Sequence, residues 1–165
     1  MHDFNIGDKI VYPNQGVGII DVIEEKEFNG IKEKYYKIHL INNTMKLSLP
    51  LSRLKASNIR LISDSQTLDY NLNNKRKTLE DIKQLAKTNY KERNEMYTSK
   101  IKSGTLKEQL EIIYNLTQLK SIHNLNSMEK MILRNTKKIL IDEIVQSKKI
   151  SECEADNLLE SYINS

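Results

Sequence analysis

An α+β fold is predicted, with a small β barrel of the SH3 or Tudor kind over residues 1–62 and an all-α helical bundle over residues 63–165. Three observations lead there. Through the first sixty or so residues, runs of β-branched and aromatic residues recur between Gly, Pro and Asn. Beyond about residue 78 there is no Pro and a single glycine, Gly104, so nothing interrupts helical spacing. That second stretch is punctuated by Thr105-x-x-Glu108, Asn126-x-x-Glu129 and Ser151-x-x-Glu154. In such capping boxes a side-chain oxygen bonds an orphan amide of the first turn and the Glu bonds back.

The elements follow in order. Ile10, Val11 and Tyr12 form a short strand ahead of Pro13-Asn14-Gln15-Gly16. Pro13 lacks an amide donor and belongs at a strand end. Gly16 and Gly18 suit positive φ or a close backbone approach. A long run from Ile19 to Phe28 ends at Asn29-Gly30, the strongest short hairpin signal, because a type I′ turn needs positive φ at both central residues. The return strand, about Lys32–Ile41, puts Tyr36, Ile38 and Leu40 on one face and Tyr35, Lys37 and His39 on the other. Asn42-Asn43 turns the chain, Met45–Leu49 runs back, Pro50 stops it, and Asn58–Ile62 supplies a fifth strand. Five short strands in that length predict the barrel.

Residues 63–66 and 71–78 read as linker around a short helical piece, so 63–78 is the predicted connecting region. Four helices are expected over about 79–103 (with a candidate break at Thr88), 105–123, 127–147 and 152–163. Gly104 stands where the first needs its left-handed C′ residue. The last should pack Leu158, Leu159 and Tyr162 into the bundle.

Composition excludes several classes. Charged residues make up 29% and hydrophobics 38% of the 165 residues, as in globular domains. No apolar run approaches the ~20 residues that span a bilayer, so no membrane partner is expected. The N-terminus lacks a basic and apolar leader pattern. The single cysteine, Cys153, allows no internal disulfide and fits a reducing, cytoplasmic setting. His2, His39 and His123 are scattered, without carboxylates or Cys at ligand spacing. No phosphate-binding glycine loop precedes a helix. No catalytic residue, metal or cofactor is therefore expected.

Charge clusters locally. Net charge is +4, and between Lys100 and Lys138 eight Lys/Arg stand against three Asp/Glu. Lys130, Arg134, Lys137 and Lys138 share one stripe of a helix, with Met128, Ile132, Ile139 and Leu140 largely opposite. A solvated face is the ordinary reading of such a stripe. Phosphate contact, which positions a protein on DNA without reading sequence, is the functional one. Tyr90 and Tyr97 flank Lys91 and Arg93. An exposed Tyr beside cations can stack on an unpaired base, and burial in the bundle is the preferred reading of Tyr97.

These residues resemble a family. Phe4, Gly7-Asp8-Lys9, Val11-Tyr12-Pro13 and Gly16-Val17-Gly18, then Ile23-Glu24 and Gly30 with Tyr35-Tyr36, are similar to the CarD/CdnL family of bacterial transcription regulators. Its first domain also occurs in transcription-repair coupling factors. Leu125-Asn126-Ser127-Met128-Glu129-Lys130 with Leu133, and Ser151-Glu152 with Glu154-Ala155, resemble the family's helical domain. The resemblance covers nearly the whole chain and is weakest over 63–87.

The resemblance implies a factor, expected here as a monomer, that joins RNA polymerase to promoter DNA and stabilises the open complex without reading sequence. The Tudor-like domain would dock on the polymerase β subunit edge to edge through Met45, Lys46, Leu47, Ser48 and Leu49, with Lys26 as a basic contact. Ser48 stands where the family carries Arg. The helical domain would hold the upstream edge of the bubble through Tyr90, Lys91, Arg93, Lys130, Arg134, Lys137 and Lys138. Tyr90 takes the place of a Trp wedge, and Glu92 and Glu95 stand at commonly basic positions. The alternative is a polymerase-binding adaptor whose bundle contacts another protein and has lost DNA binding.

Overall fold

The computed structural model of the chain describes residues 3–74 and 79–164. The chain divides into two units, residues 1–62 and 63–165, each with its own core.

In the first unit β1 (Lys9–Tyr12), β2 (Gly16–Phe28), β3 (Ile31–Leu40), β4 (Lys46–Pro50) and β5 (Arg60–Leu61) form one antiparallel sheet, ordered β4-β3-β2-β1-β5. The β2–β3 hairpin closes at Asn29 and Gly30, with φ of 53° and 76°, the type I′ geometry that this dipeptide favours. Gly18 fulfils the close approach: a Cβ there would come within 2.8 Å of the Ile38 side chain and 3.1 Å of the His39 carbonyl. Gly16 has φ of 126°. A bulge between Ile20 and Val22 shifts the β2–β3 register by one residue. It keeps Ile20 and Ile23 on the core side on either side of the shift.

The expected barrel is corrected to an open sheet, since no ladder joins β4 to β5 among the described residues. A helix absent from the sequence reading, α1 (Leu51–Ser57), runs between them and seats Leu54 in the core. It leaves β5 two residues long and paired with β1, too short to close a second edge. Phe4, Ile10, Ile20, Tyr36, Ile38, Leu40 and Leu49 complete that core, with Phe4 edge-on to Tyr36 at 6.3 Å.

The second unit contains α2 (Ser65–Asn73), α3 (Leu79–Lys87), α4 (Tyr90–Ser103), α5 (Leu106–Ile122), α6 (Ser127–Lys148) and α7 (Glu152–Asn164). Helix α2 contains the expected short helical piece and extends it into the predicted linker on both sides. Its Ser-Asp-Ser-Gln stretch is a helix start, with Asp64 accepting the Thr67 amide at 2.7 Å. Asn71 and Asn74 then bond back to the Thr67 and Tyr70 carbonyls, so polar composition there marks a capped helix. The end of the predicted linker, 75–78, lies outside the described residues. The helix expected over 79–103 breaks at Thr88-Asn89, where Asn89 caps α4 by accepting the Glu92 amide at 2.9 Å.

Helix α5 is central because it is apolar on two sides. Leu106, Leu110 and Ile113 meet α2, α6 and α7, whereas Ile112, Leu116 and Leu119 meet Tyr97, Leu125 and Ile132. Leu159, Tyr162 and Ile163 pack from α7 as i, i+3, i+4 partners. Leu158, expected among them, points outward because it is off that stripe. Of the three predicted capping boxes, only Asn126–Glu129 is reciprocal. Thr105 and Ser151 accept the Glu108 and Glu154 amides, but their hydroxyls also turn toward the same carboxylates.

Candidate functional site

Two surfaces carry the candidate residues, one in each unit. In the β unit, β4 is an edge strand, with β3 as its ladder partner. Its bounds are Lys46–Pro50, which corrects the expected Met45–Leu49. Met45 lies in the preceding turn, its amide donating to Asn43 Oδ1 at 2.8 Å and its carbonyl accepting from Leu40. Leu49 is buried, Leu47 half-buried, and Met45, Lys46 and Ser48 are exposed.

The ladder register places the remaining candidates. Lys26 lies opposite Glu33, Glu24 opposite Tyr35, Lys37 opposite Ser48 and His39 opposite Lys46. These residues therefore share the sheet face away from Tyr36, Ile38 and Leu49. Lys26 and Ser48 thus belong to one face. The Lys26 ammonium sits 4.9 Å from the centroid of the Tyr35 ring, a cation–π arrangement that orders a side chain otherwise free in solvent. Lys37 pairs with Glu24 at 3.0 Å. Tyr35 and Lys37, not among the expected contact residues, lie on the same face as Lys26 and Ser48, and the period-two spacing that sets them opposite Tyr36 and Ile38 is the signal for it. Glu33 Oε1 accepts the Ser52 amide at 3.0 Å at the start of α1. The hydrogen bonds from Ser52 hold the Glu33 carboxyl below its ordinary value.

In the helical unit Tyr90 is the first residue of α4 and is 49% exposed. Lys91 is exposed beside it, and so are Glu92 and Glu95. Arg93 is a correction: it is 7% exposed and faces inward. Its Nε donates to Glu129 Oε1 at 2.8 Å, and Nη1 donates to the Thr88 carbonyl at 2.7 Å. A guanidinium consumed by a buried carboxylate is not offered to phosphate. Tyr97 is fully buried, as preferred from sequence, and its hydroxyl has no partner. Burial pushes that hydroxyl's pKa well up, and Glu129 adds to the shift.

On α6, Lys130, Arg134 and Lys138 are exposed along one stripe. Lys137 is half-buried and held by α7, with Glu160 at 2.7 Å and Asp156 at 3.6 Å. The hydrogen bond to Glu160 raises its pKa. It belongs to the α6–α7 contact, which corrects its place in the basic stripe. Met128 is exposed, not inward as expected. In the first turn of α6 the inward position belongs to Glu129, one residue on. Met131 is also exposed, and helical spacing sets it among Lys130, Arg134 and Lys138.

No group of three or more His, Cys, Asp or Glu suited to a metal ion occurs among the described residues. No described helix is long and apolar enough to cross a membrane.

Comparison with known proteins covers both units. Residues 4–63 match the model of the CarD-like/TRCF RID domain, and residues 76–160 match that of the CarD C-terminal domain. The chain is 37% identical over 153 residues to a protein of Bacillus subtilis (strain 168) named "Putative transcription factor YdeB", covering 90% of this chain and 95% of that one. Two solved structures from Myxococcus xanthus are similar to part of it. The solution structure of the 72-residue N-terminal domain of CarD is 29% identical, with TM-score 0.32, covering 36% of this chain and 79% of that one. CdnLNt is 34% identical, with TM-score 0.33, covering 38% and 87%.

Proposed function

The chain belongs to the CarD-like family of transcription factors, and from that premise we propose that it tethers RNA polymerase to promoter DNA and stabilises the open complex. The observation that carries the polymerase half is the edge position of β4. An edge strand offers a row of main-chain donors and acceptors to a strand of a partner, here the polymerase β subunit. Such addition draws affinity from main-chain bonds and selectivity from side chains. Lys46, Leu47, Ser48 and Leu49, with Met45 at the strand's approach and Lys26 on the same face, supply that selectivity. With Ser at position 48, the contact there is a hydroxyl in place of a guanidinium.

For the DNA half, Tyr90 at a helix start is the wedge at the upstream edge of the bubble. Lys91, Lys130, Arg134 and Lys138 are the phosphate contacts. A side chain inserted at an unstacked step stabilises the open form only to the extent that it binds that form better. Phosphate contacts add affinity that falls with salt. A second reading, an adaptor whose bundle meets another protein, draws support from exposed Glu92 and Glu95 beside Tyr90, since both repel phosphate.

Permanganate footprinting of promoter opening tests the proposal. Wild type is expected to increase thymine reactivity in the bubble, and Tyr90→Ala to remove most of that increase. Wild type without effect would leave the adaptor reading. A Tyr90→Ala variant as active as wild type would remove Tyr90 from the wedge. In a pull-down of the isolated β lobe, Ser48→Glu and Lys26→Glu should each reduce retention, and undiminished retention would dismiss the β4 face.

A further inference from the structure

We infer that Arg93 and Glu129 form a positioning pair, which fixes the helix start bearing Tyr90 against the helix start bearing Lys130. The inference rests on the proposed DNA-binding role of Tyr90 and deepens it.

The bonds form one connected path. The Arg93 guanidinium donates through Nη1 to the Thr88 carbonyl, two residues before Tyr90, and through Nε to Glu129 Oε1. Glu129 Oε2 accepts the Asn126 amide at 3.2 Å, and Asn126 Oδ1 accepts the Glu129 amide at 2.9 Å. A single cation thus joins the junction after α3, the start of α4 and the capped first turn of α6. Tyr90 lies inside the short loop that Arg93 closes onto Thr88. Arg93 is 7% and Glu129 2% exposed, so solvent does not loosen the path.

Stability alone does not call for this arrangement. A buried ion pair is often no more stabilising than apolar side chains of similar volume. Its distinguishing property is direction. The guanidinium is a planar fork whose donors point along fixed lines, and here two of them serve different acceptors on different segments. Apolar replacements would fill the space without specifying the angle of the corner. A lysine could neutralise Glu129, but its single ammonium does not reproduce the fork. The role of Arg93 is therefore to aim Tyr90 while contacting no DNA itself.

The test uses the full chain with Arg93→Met/Glu129→Leu and, separately, Arg93→Lys. Three readouts are taken: melting temperature, hydrogen exchange at the Glu92 and residue-93 amides (both bonded to Asn89), and the protein concentration needed for half-maximal permanganate reactivity. The double variant should melt close to wild type and exchange those two amides about tenfold faster. It should also need about tenfold more protein for promoter opening. Arg93→Lys should fall between it and wild type in both. Unchanged exchange at the two amides in either folded variant would overturn the inference. So would wild-type opening by a variant whose corner has loosened. If wild type fails to open promoters while the amides still loosen in the variants, the DNA reading of Tyr90 falls and the tie between α4 and α6 stands.

Discussion

Lys26 and Ser48 share a face because a ladder of main-chain bonds sets the parity of β2, β3 and β4. The starts of α4 and α6, which bear Tyr90 and Lys130, are joined by a side chain, Arg93, reaching a carboxylate 36 positions away. The β unit presents its surface through the backbone, and the helical unit does so through buried charge. A ladder distributes its constraint over many weak, replaceable bonds. A buried ion pair concentrates it in one place, where losing a partner leaves an uncompensated charge. The candidate DNA surface should therefore be far more sensitive to single changes in the interior than the candidate polymerase surface.

Substitutions sharpen that contrast in descending order of effect. Arg93→Ala strands the Glu129 carboxylate, at a cost of about 3–5 kcal/mol. Exchange protection should collapse in α4 and the first turns of α6 while the sheet stays protected. Equal loss in both units would break the comparison. In the β unit the corresponding change is Gly18→Ala, whose methyl meets Ile38 and the His39 carbonyl. Overpacking of this kind costs about 1–3 kcal/mol, measurable as a lower melting temperature. Asn126→Ala removes the side-chain half of the reciprocal capping box and keeps the backbone half, the residue-126 amide on Glu129; the lost bond is half-buried, where that of Asn89 is exposed, and costs about 1 kcal/mol. It should cost more than Asn89→Ala, as read by chemical denaturation.

The smallest effect depends on pH. Hydrogen bonds from Ser52 depress the Glu33 carboxyl pKa below its ordinary 4.5. Its contribution to the α1 start is therefore complete above that value and is lost as pH falls through the lower folded value. The Ser52 amide shift should titrate in that acid window in wild type and be flat in Glu33→Gln.

Legibility from sequence divides along the same line. Asn29-Gly30, Gly18, Gly104 (which ends α4 in the left-handed region at φ of 67°) and Asn126-x-x-Glu129 could be read because each demand is met within a few residues, as a φ sign, a close approach or a cap. The inward face of β3 followed from apolar spacing alone. The open sheet was not legible, because α1 is a seven-residue helix whose only buried side chain is Leu54. Nor was the inward turn of Arg93, which sits in a polar run where Lys91 and Glu92 are exposed. Lys137 looked like a member of a basic stripe because Asp156 and Glu160 lie on another helix. At Asp64 the composition misled, since a capped helix start and a polar linker use the same residues.

The start of the helical unit has a consequence for the order of synthesis. The Ser63 amide donates to the buried Glu143 carboxylate at 2.7 Å, and the Ser147 hydroxyl donates to the Ser63 carbonyl. These partners lie 80 and 84 positions downstream. A ribosome adding ~5–20 residues per second reaches Glu143 on the order of 4–16 s after Ser63. Every ladder partner of the β unit has been made by Leu61. During that interval every strand residue of the β unit has been made, while the side chains that hold Ser63 have not.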